Sequence, residues 1–190
     1  MNLKDYVKVY QTFDDKFCKK IITQINKVEW KKHSYNDPIN NTNNSFDDDL
    51  FVTNGANKKD EISADIVKLN EAIWHVIKRY LQEDINLPWF SGWSGYTLAR
   101  FNRYDKNCTM RTHCDHIKTI FDGERKGIPT LTVLGSLNNN YSGGELIMWD
   151  SEKLELKAGQ VMIFPSNFLY PHKIDPIKKG IRYSFVSWVW

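Results

Sequence analysis

The chain lacks the features that mark several specialised classes of protein. Its three cysteines, Cys18, Cys108 and Cys114, form neither a C-x-x-C pair nor an even-numbered set, which favours a reducing compartment over a disulfide framework. No apolar stretch is long enough to span a membrane, and the first residues show no secretory signal. We therefore expect a soluble cytoplasmic protein without a membrane partner.

The chain also lacks a strong charge of either sign. Its 26 lysines and arginines against 23 acidic residues leave a net charge of +3, and no basic block is interleaved with aromatic residues. Nucleic acid is therefore not indicated as a partner. There are no internal repeats, and a composition of 41% hydrophobic and 26% charged residues is ordinary for a globular domain. A length of 190 residues fits one domain.

Residues 1–92 predict a helical N-terminal part. Val7 to Tyr10 alternates like a short strand, and Asp14 and Asp15 then provide N-cap chemistry for a helix. Residues 34–57 are rich in Asn and Asp, which favour turns, so they predict a long loop. A second helix is expected from about Asp60, with apolar residues at helical spacing: Ile62, Ile66, Leu69, Ile73, Ile77 and Leu81.

Residues 93–190 predict a β-sheet core. Turn signals divide short segments rich in β-branched and aromatic residues, and these segments cover 96–101, 130–137, 145–149, 161–164 and 182–190. Helices followed by many strands indicate an α+β protein whose helices pack on one sheet of a sandwich or jelly roll. The expected organisation is a single domain spanning 1–190, with its jelly-roll core in 93–190.

Three residues are candidates for a metal site. His113 and Asp115 lie two positions apart on an extended segment, so their side chains point the same way. His172 follows a turn much later in the chain and could complete a face of two histidines and one carboxylate, the set that holds Fe(II) in non-haem oxygenases. An H-x-D triplet also arises by chance, and His172 alone could cap a loop. A zinc hydrolase with the same ligands stays open.

The other histidines compete less well for this role. His116 has the wrong parity to share a face with His113, and His33 lies at the edge of the polar loop. His75 falls on the second predicted helix without a nearby partner, so we interpret it as structural.

Arg182 favours the oxygenase over the hydrolase. It follows His172 by ten residues on the next predicted strand, among apolar and aromatic neighbours. A buried guanidinium requires an anion, because an unpaired buried charge is strongly unfavourable. That anion is either an acidic side chain or a dicarboxylate cosubstrate, whose carboxylate matches the planar fork of arginine.

From Tyr96 to Trp190 the chain resembles the Fe(II)- and 2-oxoglutarate-dependent oxygenases, specifically their prolyl 4-hydroxylase-like branch. The early strand and helix, Val7 to Val28, also lie where such enzymes carry their leading helices. The resemblance depends on a set of motifs in order: Tyr104, His113-x-Asp115, Leu137-Asn138, Gly143-Gly144-Glu145-Leu146, Gly159 to Phe164, Pro171-His172, Arg182-Tyr183 and Trp188.

The resemblance implies a double-stranded β-helix (jelly-roll) core that holds one Fe(II) through His113, Asp115 and His172. It assigns the far carboxylate of 2-oxoglutarate to Arg182, where many prolyl hydroxylases have lysine. Some members place a second pocket tyrosine on the central strand, where this chain has Thr132, Leu134 and Ser136. The predicted cosubstrate pocket therefore comprises Arg182, Tyr104, Trp188, Leu134 and Ser136.

The activity implied by the resemblance is hydroxylation of a peptidyl proline, coupled to decarboxylation of 2-oxoglutarate to succinate and CO2. Fe(II), 2-oxoglutarate and O2 are the implied cofactors, with ascorbate as a further one, and a protein or peptide is the implied partner. Another side chain, a free amino acid or a nucleobase stays open as the substrate, as does a non-catalytic jelly-roll binding module. Residues 34–57 and 116–128 are candidate lids over the substrate groove.

Overall fold

The computed structural model describes residues 2–33, 35–37, 42–44, 50–56, 59, 61–90, 95–115 and 129–190. Within these ranges the chain is mostly antiparallel β-sheet with few helices. The strands in chain order are β1 Lys8–Gln11, β2 Lys31–Lys32, β3 Tyr35–Asp37, β4 Thr42–Asn44, β5 Phe51–Thr53, β6 Arg100–Tyr104, β7 Met110–His113, β8 Leu131–Ser136, β9 Ser142–Gly143, β10 Leu146–Met148, β11 Glu152–Leu154, β12 Gln160–Pro165, β13 His172–Ile174, β14 Ile177–Lys179 and β15 Arg182–Val189.

Two antiparallel sheets form the body of the fold. The larger has seven strands in the order β1-β12-β8-β15-β6-β5-β2, and the smaller has four in the order β11-β10-β13-β7. Two further strand pairs, β14 with β9 and β3 with β4, lie outside these sheets. The central strand β15 pairs with β8 on one side and with β6 on the other.

Two α-helices precede the larger part of the sheet in sequence. Helix α1 spans Asp15–Ile25, and the side chain of its N-cap, Asp14, accepts a hydrogen bond from Phe17 N at 2.7 Å. Helix α2 spans Ala64–Arg79 and continues into a π-helical turn, Tyr80–Ile85. The turn ends at Asn86, whose φ of 39° is left-handed, a conformation that asparagine tolerates better than most residues. No helix in the described ranges is both long enough and apolar enough to span a membrane.

The apolar faces of the structure form two clusters of buried residues. The first joins residues of α1 and α2, such as Ile21, Leu69 and Ile73, to residues of the seven-stranded sheet such as Val133 and Phe185. The second cluster lies between the two sheets, and the smaller sheet contributes Leu146, Met148 and Ile174 to it. Burying one such side chain completely contributes about 1.5–3 kcal/mol, so these clusters hold the sheets and helices in place around any site between them.

The structure corrects several boundaries expected from the sequence. Helix α2 begins at Ala64 rather than near residue 60, because Ser63 is the N-cap whose Oγ accepts from Ile66 N. The strand expected at 96–101 is β6, four residues later, while Tyr96 makes only a single bridge to Val189.

The region expected as a long loop, 34–57, contains the strands β3, β4 and β5. Strand β5 pairs with β6 and with β2, so β5 and β2 extend the seven-stranded sheet at one edge. Residues 34, 38–41, 45–49 and 57 of this loop lie outside the described ranges, as does the candidate lid at 116–128.

Candidate metal centre and cosubstrate cavity

His113, Asp115 and His172 come together at the end of the smaller sheet. Strands β7 and β13 are neighbours in which His172 pairs with His113, and the centroids of the two imidazole rings are 4.4 Å apart. Asp115 lies two residues beyond β7, with Oδ1 3.4 Å from His113 Nε2 and Oδ2 3.8 Å from His172 Nε2. One ligand atom from each residue lies within 4.8 Å of the others.

Backbone carbonyls fix the orientation of both imidazole rings. His113 Nδ1 donates to Arg111 O at 2.7 Å, and His172 Nδ1 donates to Tyr170 O at 3.1 Å. A neutral imidazole that donates through Nδ1 has its lone pair on Nε2. Both Nε2 atoms therefore face the carboxylate with the electron pair that a metal ion requires, which is the usual arrangement of ligating histidines.

A hydroxyl pair supports the carboxylate of Asp115. Thr132 Oγ1, on β8, donates to Asp115 Oδ2 at 2.7 Å. The same Thr132 hydroxyl is 2.8 Å from Ser166 Oγ, and since a hydroxyl has one hydrogen, Ser166 is the donor in that contact. The chain Ser166–Thr132–Asp115 therefore holds the carboxylate from the larger sheet while the two imidazoles approach it from the smaller one.

The contacts among the three residues shift their pKa values. Burial raises the pKa of Asp115, but its contacts with His113, His172 and the Thr132 hydroxyl outweigh this effect and hold that pKa well below its ordinary value. Burial also lowers the pKa of His172. For His113, burial opposes protonation, but the Asp115 carboxylate and the Arg111 carbonyl raise its pKa.

This donor set fits a divalent cation with open coordination positions. Octahedral bonds of about 2.1 Å separate neighbouring ligand atoms by roughly 3 Å, which is somewhat less than the 3.4 and 3.8 Å from Asp115 to the two imidazoles. Two imidazoles and one carboxylate on one face are the ligands of non-haem Fe(II) oxygenases. Zinc accepts the same donor types, so the geometry assigns a metal site without choosing between the two ions.

The three residues line a cavity together with one face of the larger sheet. Alternate residues of a strand share a face, which places every second residue of β6 and β15 on the cavity side. The register pairs Arg182 with Tyr104, Ser184 with Asn102, and Val186 with both Arg100 and Leu134. The sheet residues of the lining are Arg100, Asn102, Tyr104, Leu134, Arg182, Ser184, Val186 and Trp188.

Arg182 lies in this wall as a buried, incompletely paired cation. Arg182 is 4% exposed. Its Nη1 donates to Ser184 Oγ at 2.9 Å, and its guanidinium lies 5.1 Å from the centroid of the Tyr104 ring. Its Nε has no hydrogen-bond partner, and no acidic side chain in the described ranges forms an ion pair with it. The sequence left two alternatives for the anion at Arg182, and no acidic side chain in the described ranges fills that role. The cavity therefore fits a carboxylate ligand at Arg182.

The other predicted pocket residues differ in where they lie. Tyr104, Leu134 and Trp188 line the cavity, and the Trp188 ring is 4.8 Å from the Arg100 guanidinium. Ser136 lies outside the cavity lining, and its hydroxyl donates to Asn138 O at 3.3 Å. His75 is exposed on α2.

Sequence reasoning missed several residues that the structure places at the site, and four of them are polar side chains beside Asp115 or Arg182. They are Ser166 and Thr132, which support Asp115, and Ser184 and Asn102, which lie beside Arg182. The alternation of β15 and β6 could have indicated the last two, because each is two positions from a predicted pocket residue. The sequence around Ser166 contains no comparable signal.

Comparison with known proteins places these residues in a family context. Residues 99–190 match the family model described as the 2OG-Fe(II) oxygenase superfamily. A PKHD-type hydroxylase of Delftia acidovorans is 33% identical over 96 residues, which cover 47% of this chain and 41% of that protein. A PKHD-type hydroxylase of Idiomarina loihiensis is 27% identical over 125 residues, or 64% of this chain and 55% of that protein. The chain thus spans about half the length of these relatives or less.

Solved structures share the fold over nearly the whole chain. A prolyl hydroxylase of Trichoplax adhaerens, in complex with a peptide fragment of the hypoxia inducible factor oxygen degradation domain, matches with a TM-score of 0.74 and 15% identity. The match covers 98% of this chain and 84% of that one. A prolyl-4-hydroxylase of Pseudomonas putida matches with a TM-score of 0.71 and 15% identity, covering 97% and 92%. At this level of identity the likeness establishes a shared fold.

Proposed function

Because residues 99–190 match the family model of the 2OG-Fe(II) oxygenase superfamily, we propose that this chain is an Fe(II)- and 2-oxoglutarate-dependent dioxygenase that hydroxylates a peptidyl proline. Succinate and CO2 are the proposed coproducts. One observation carries the proposal: a cavity that contains a two-histidine, one-carboxylate cluster also contains a buried guanidinium without an acidic partner in the described ranges. The first group fits the metal, and the second fits the cosubstrate.

Each side chain has a defined part in this proposal. His113, Asp115 and His172 hold the Fe(II), and Thr132 keeps the Asp115 carboxylate oriented. Arg182 binds the far carboxylate of 2-oxoglutarate, for which its unpaired Nε is available. When bound, Fe(II), 2-oxoglutarate and O2 supply the oxidising chemistry that the protein side chains cannot provide.

The remaining cavity residues contact the cosubstrate and keep water out of the cavity. Tyr104 packs against the Arg182 guanidinium, and its hydroxyl is proposed to donate a hydrogen bond to the cosubstrate. Leu134, Val186 and the Trp188 ring are the apolar part of the wall. Apolar walls exclude water and lower the local dielectric, which strengthens the attraction between Arg182 and a carboxylate.

A peptidyl proline is the proposed substrate, with a protein or peptide as the partner. The support is the fold shared with prolyl hydroxylases, one of them solved with a peptide fragment. The same likeness supports the jelly-roll arrangement of the core, with the helices packed on its larger sheet. We also retain the cytoplasmic location as a proposal, in keeping with three free cysteines.

Succinate release assayed with Fe(II), 2-oxoglutarate and O2 tests the activity. A panel of proline-containing peptides, free amino acids and oligonucleotides identifies the substrate by a mass gain of one oxygen atom. Asp115→Ala should abolish succinate release, since it removes one of three ligands. The matched control is Asp175→Ala, because Asp175 pairs with Lys173 just beyond β13 and lies outside the cavity lining. Activity that needs neither O2 nor 2-oxoglutarate would reject the proposal in favour of a zinc hydrolase.

A further inference from the structure

Asn102 is a buried polar side chain that has no hydrogen-bond partner among the described residues. It lies on β6 and is 4% exposed. Its Oδ1 is buried without a hydrogen bond, and its side chain makes no hydrogen bond to any residue in the described ranges. Asn102 also lines the cavity that contains the metal cluster and Arg182. A polar side chain in this position faces a ligand rather than the protein core.

The energetic cost makes this arrangement informative. An unsatisfied buried polar group costs about 1–3 kcal/mol, and nearly all buried polar atoms of native proteins have a partner. Asn70 shows how this chain treats a structural asparagine: at 6% exposure, its Nδ2 donates to Ile66 O and its Oδ1 accepts from Ala99 N. Asn102 has neither kind of contact, although a leucine, which has the same branching and number of side-chain heavy atoms, would carry no such cost.

The neighbours of Asn102 indicate which ligand it meets. Asn102 is paired in register with Ser184, the residue that accepts from Arg182, while Tyr104, two residues along β6, is paired with Arg182 itself. Asn102 is therefore next to the proposed carboxylate anchor. Across β15, the neighbouring strand β8 contributes only the apolar Leu134 to this lining. A half-turn about χ2 exchanges the amide oxygen and nitrogen, so the same side chain can present two N–H donors.

We propose that Asn102 is a further cosubstrate-binding residue, whose amide N–H groups donate to 2-oxoglutarate beside Arg182. This inference rests on the function proposed above and extends it to a residue for which the sequence analysis predicted no role. In this arrangement a dicarboxylate satisfies Arg182 and Asn102 together. Without ligand, the amide at this position stays unpaired and lowers the free energy of unfolding of the protein. Binding of the dicarboxylate removes this cost.

The test measures binding of 2-oxoglutarate by calorimetry, with Mn(II) in place of iron so that no turnover occurs. Asn102→Leu removes the donors while keeping the branching and the number of side-chain heavy atoms, and Asn102→Asp replaces the donors with a negative charge. We expect 2-oxoglutarate to bind about 10- to 100-fold more weakly to Asn102→Leu, the usual range for one hydrogen bond to a charged group. Asn102→Asp should bind more weakly still.

Melting temperature without ligand is the second readout. Asn102→Leu should melt at or above the wild-type temperature, because it removes an unsatisfied amide, whereas loss of a structural amide would lower it. The matched control is Asn70→Ala, which should lower the melting temperature and leave the affinity for 2-oxoglutarate unchanged. If Asn102→Leu and Asn102→Asp both bind 2-oxoglutarate like the wild type, the inference is wrong.

Two further results separate this inference from the proposed function. If Asn102→Leu loses affinity for substrate peptide but not for 2-oxoglutarate, Asn102 contacts the substrate, and the cosubstrate role is rejected. If the wild-type protein itself binds no 2-oxoglutarate, the proposed function fails before any variant is compared. An effect of Arg182→Met without any effect at Asn102 retains the function and rejects this inference alone.

Discussion

Replacing Arg182 with methionine separates the proposed cosubstrate anchor from the candidate metal site. Arg182 is the only charged residue of β15, and methionine keeps an unbranched side chain of similar length. The variant removes the guanidinium that faces the cavity and leaves His113, Asp115 and His172 unchanged. We expect weaker binding of 2-oxoglutarate and unchanged binding of the metal.

The size of the effect follows from the surroundings of the guanidinium. Arg182 is 4% exposed, so a carboxylate that binds it is largely shielded from water. Removing one partner of a buried charge pair costs about 2–5 kcal/mol. At about 1.4 kcal/mol for each factor of ten, the dissociation constant should rise roughly 30-fold to several thousand-fold. The ligand-free protein should be no less stable, because a buried cation without an anion is itself unfavourable.

Two titrations and one melting curve measure these effects. Mn(II) and then 2-oxoglutarate are titrated into wild type and Arg182→Met, and the unfolding of each ligand-free protein is recorded. Arg103→Met is the matched control, since Arg103 lies on the adjacent strand and already pairs with Asp105 at 2.9 Å. Equal affinity of wild type and Arg182→Met for 2-oxoglutarate would refute the assignment, and so would a large loss of stability in the variant.

Three further substitutions test other parts of the structure. Thr132→Val keeps the shape but removes the donor to Asp115, so metal affinity should fall about 10- to 100-fold in a competition titration. Gly135→Ala places a Cβ 2.0 Å from the Phe185 ring, and denaturant unfolding should show a loss of about 1–3 kcal/mol. Burial, together with the charges of Arg100 and His113, lowers the pKa of His33 to about 4. As the pH falls from 6.5 to 4, His33 therefore binds a proton in the unfolded chain but not in the folded one. The free energy of unfolding should decrease over this pH range, and His33→Gln should make the decrease smaller.

Each of these substitutions has a control. Thr130→Val removes a hydroxyl that bonds Val189 O, outside the metal site, and should leave metal affinity unchanged. Gly95→Ala meets its nearest neighbour, Trp190, only at 3.3 Å and should cost less than Gly135→Ala. Equal metal affinity in Thr132→Val, equal stability in Gly135→Ala, or an unaltered pH slope in His33→Gln would contradict the corresponding argument.

Periodicity predicted the large elements of the fold and not the small ones. The apolar stripe of α2 and the alternating, β-branched segments of β8, β12 and β15 extend over enough residues to define a period. Strand β2 has two residues and β5 has three, too few to show any period, so the extension of the sheet at that edge could not be predicted. The start of α2 was misplaced because several polar residues near 60 are plausible N-caps, and only the structure identifies Ser63.

The candidate metal cluster could be predicted in part because the signal of its first two residues is local. His113 and Asp115 differ by two positions, and the adjacent strands β7 and β13 bring His172 directly opposite His113. Asp115 lies beyond the end of β7, so strand parity alone does not fix its direction, and the hydroxyl of Thr132 from the other sheet contributes to holding it. Contacts of this kind join residues 17 and 34 positions apart, and no local pattern encodes them.

Anaerobic titration with Fe(II) and 2-oxoglutarate measures the central claim, that one cavity holds both the metal and the cosubstrate. The two ligands added together should produce a visible charge-transfer band that neither produces alone. The band should be lost in Asp115→Ala and should need far more 2-oxoglutarate in Arg182→Met. If wild-type protein shows no band with both ligands in excess, or if the band forms equally well in Asp115→Ala, the metal and the cosubstrate do not meet at this site.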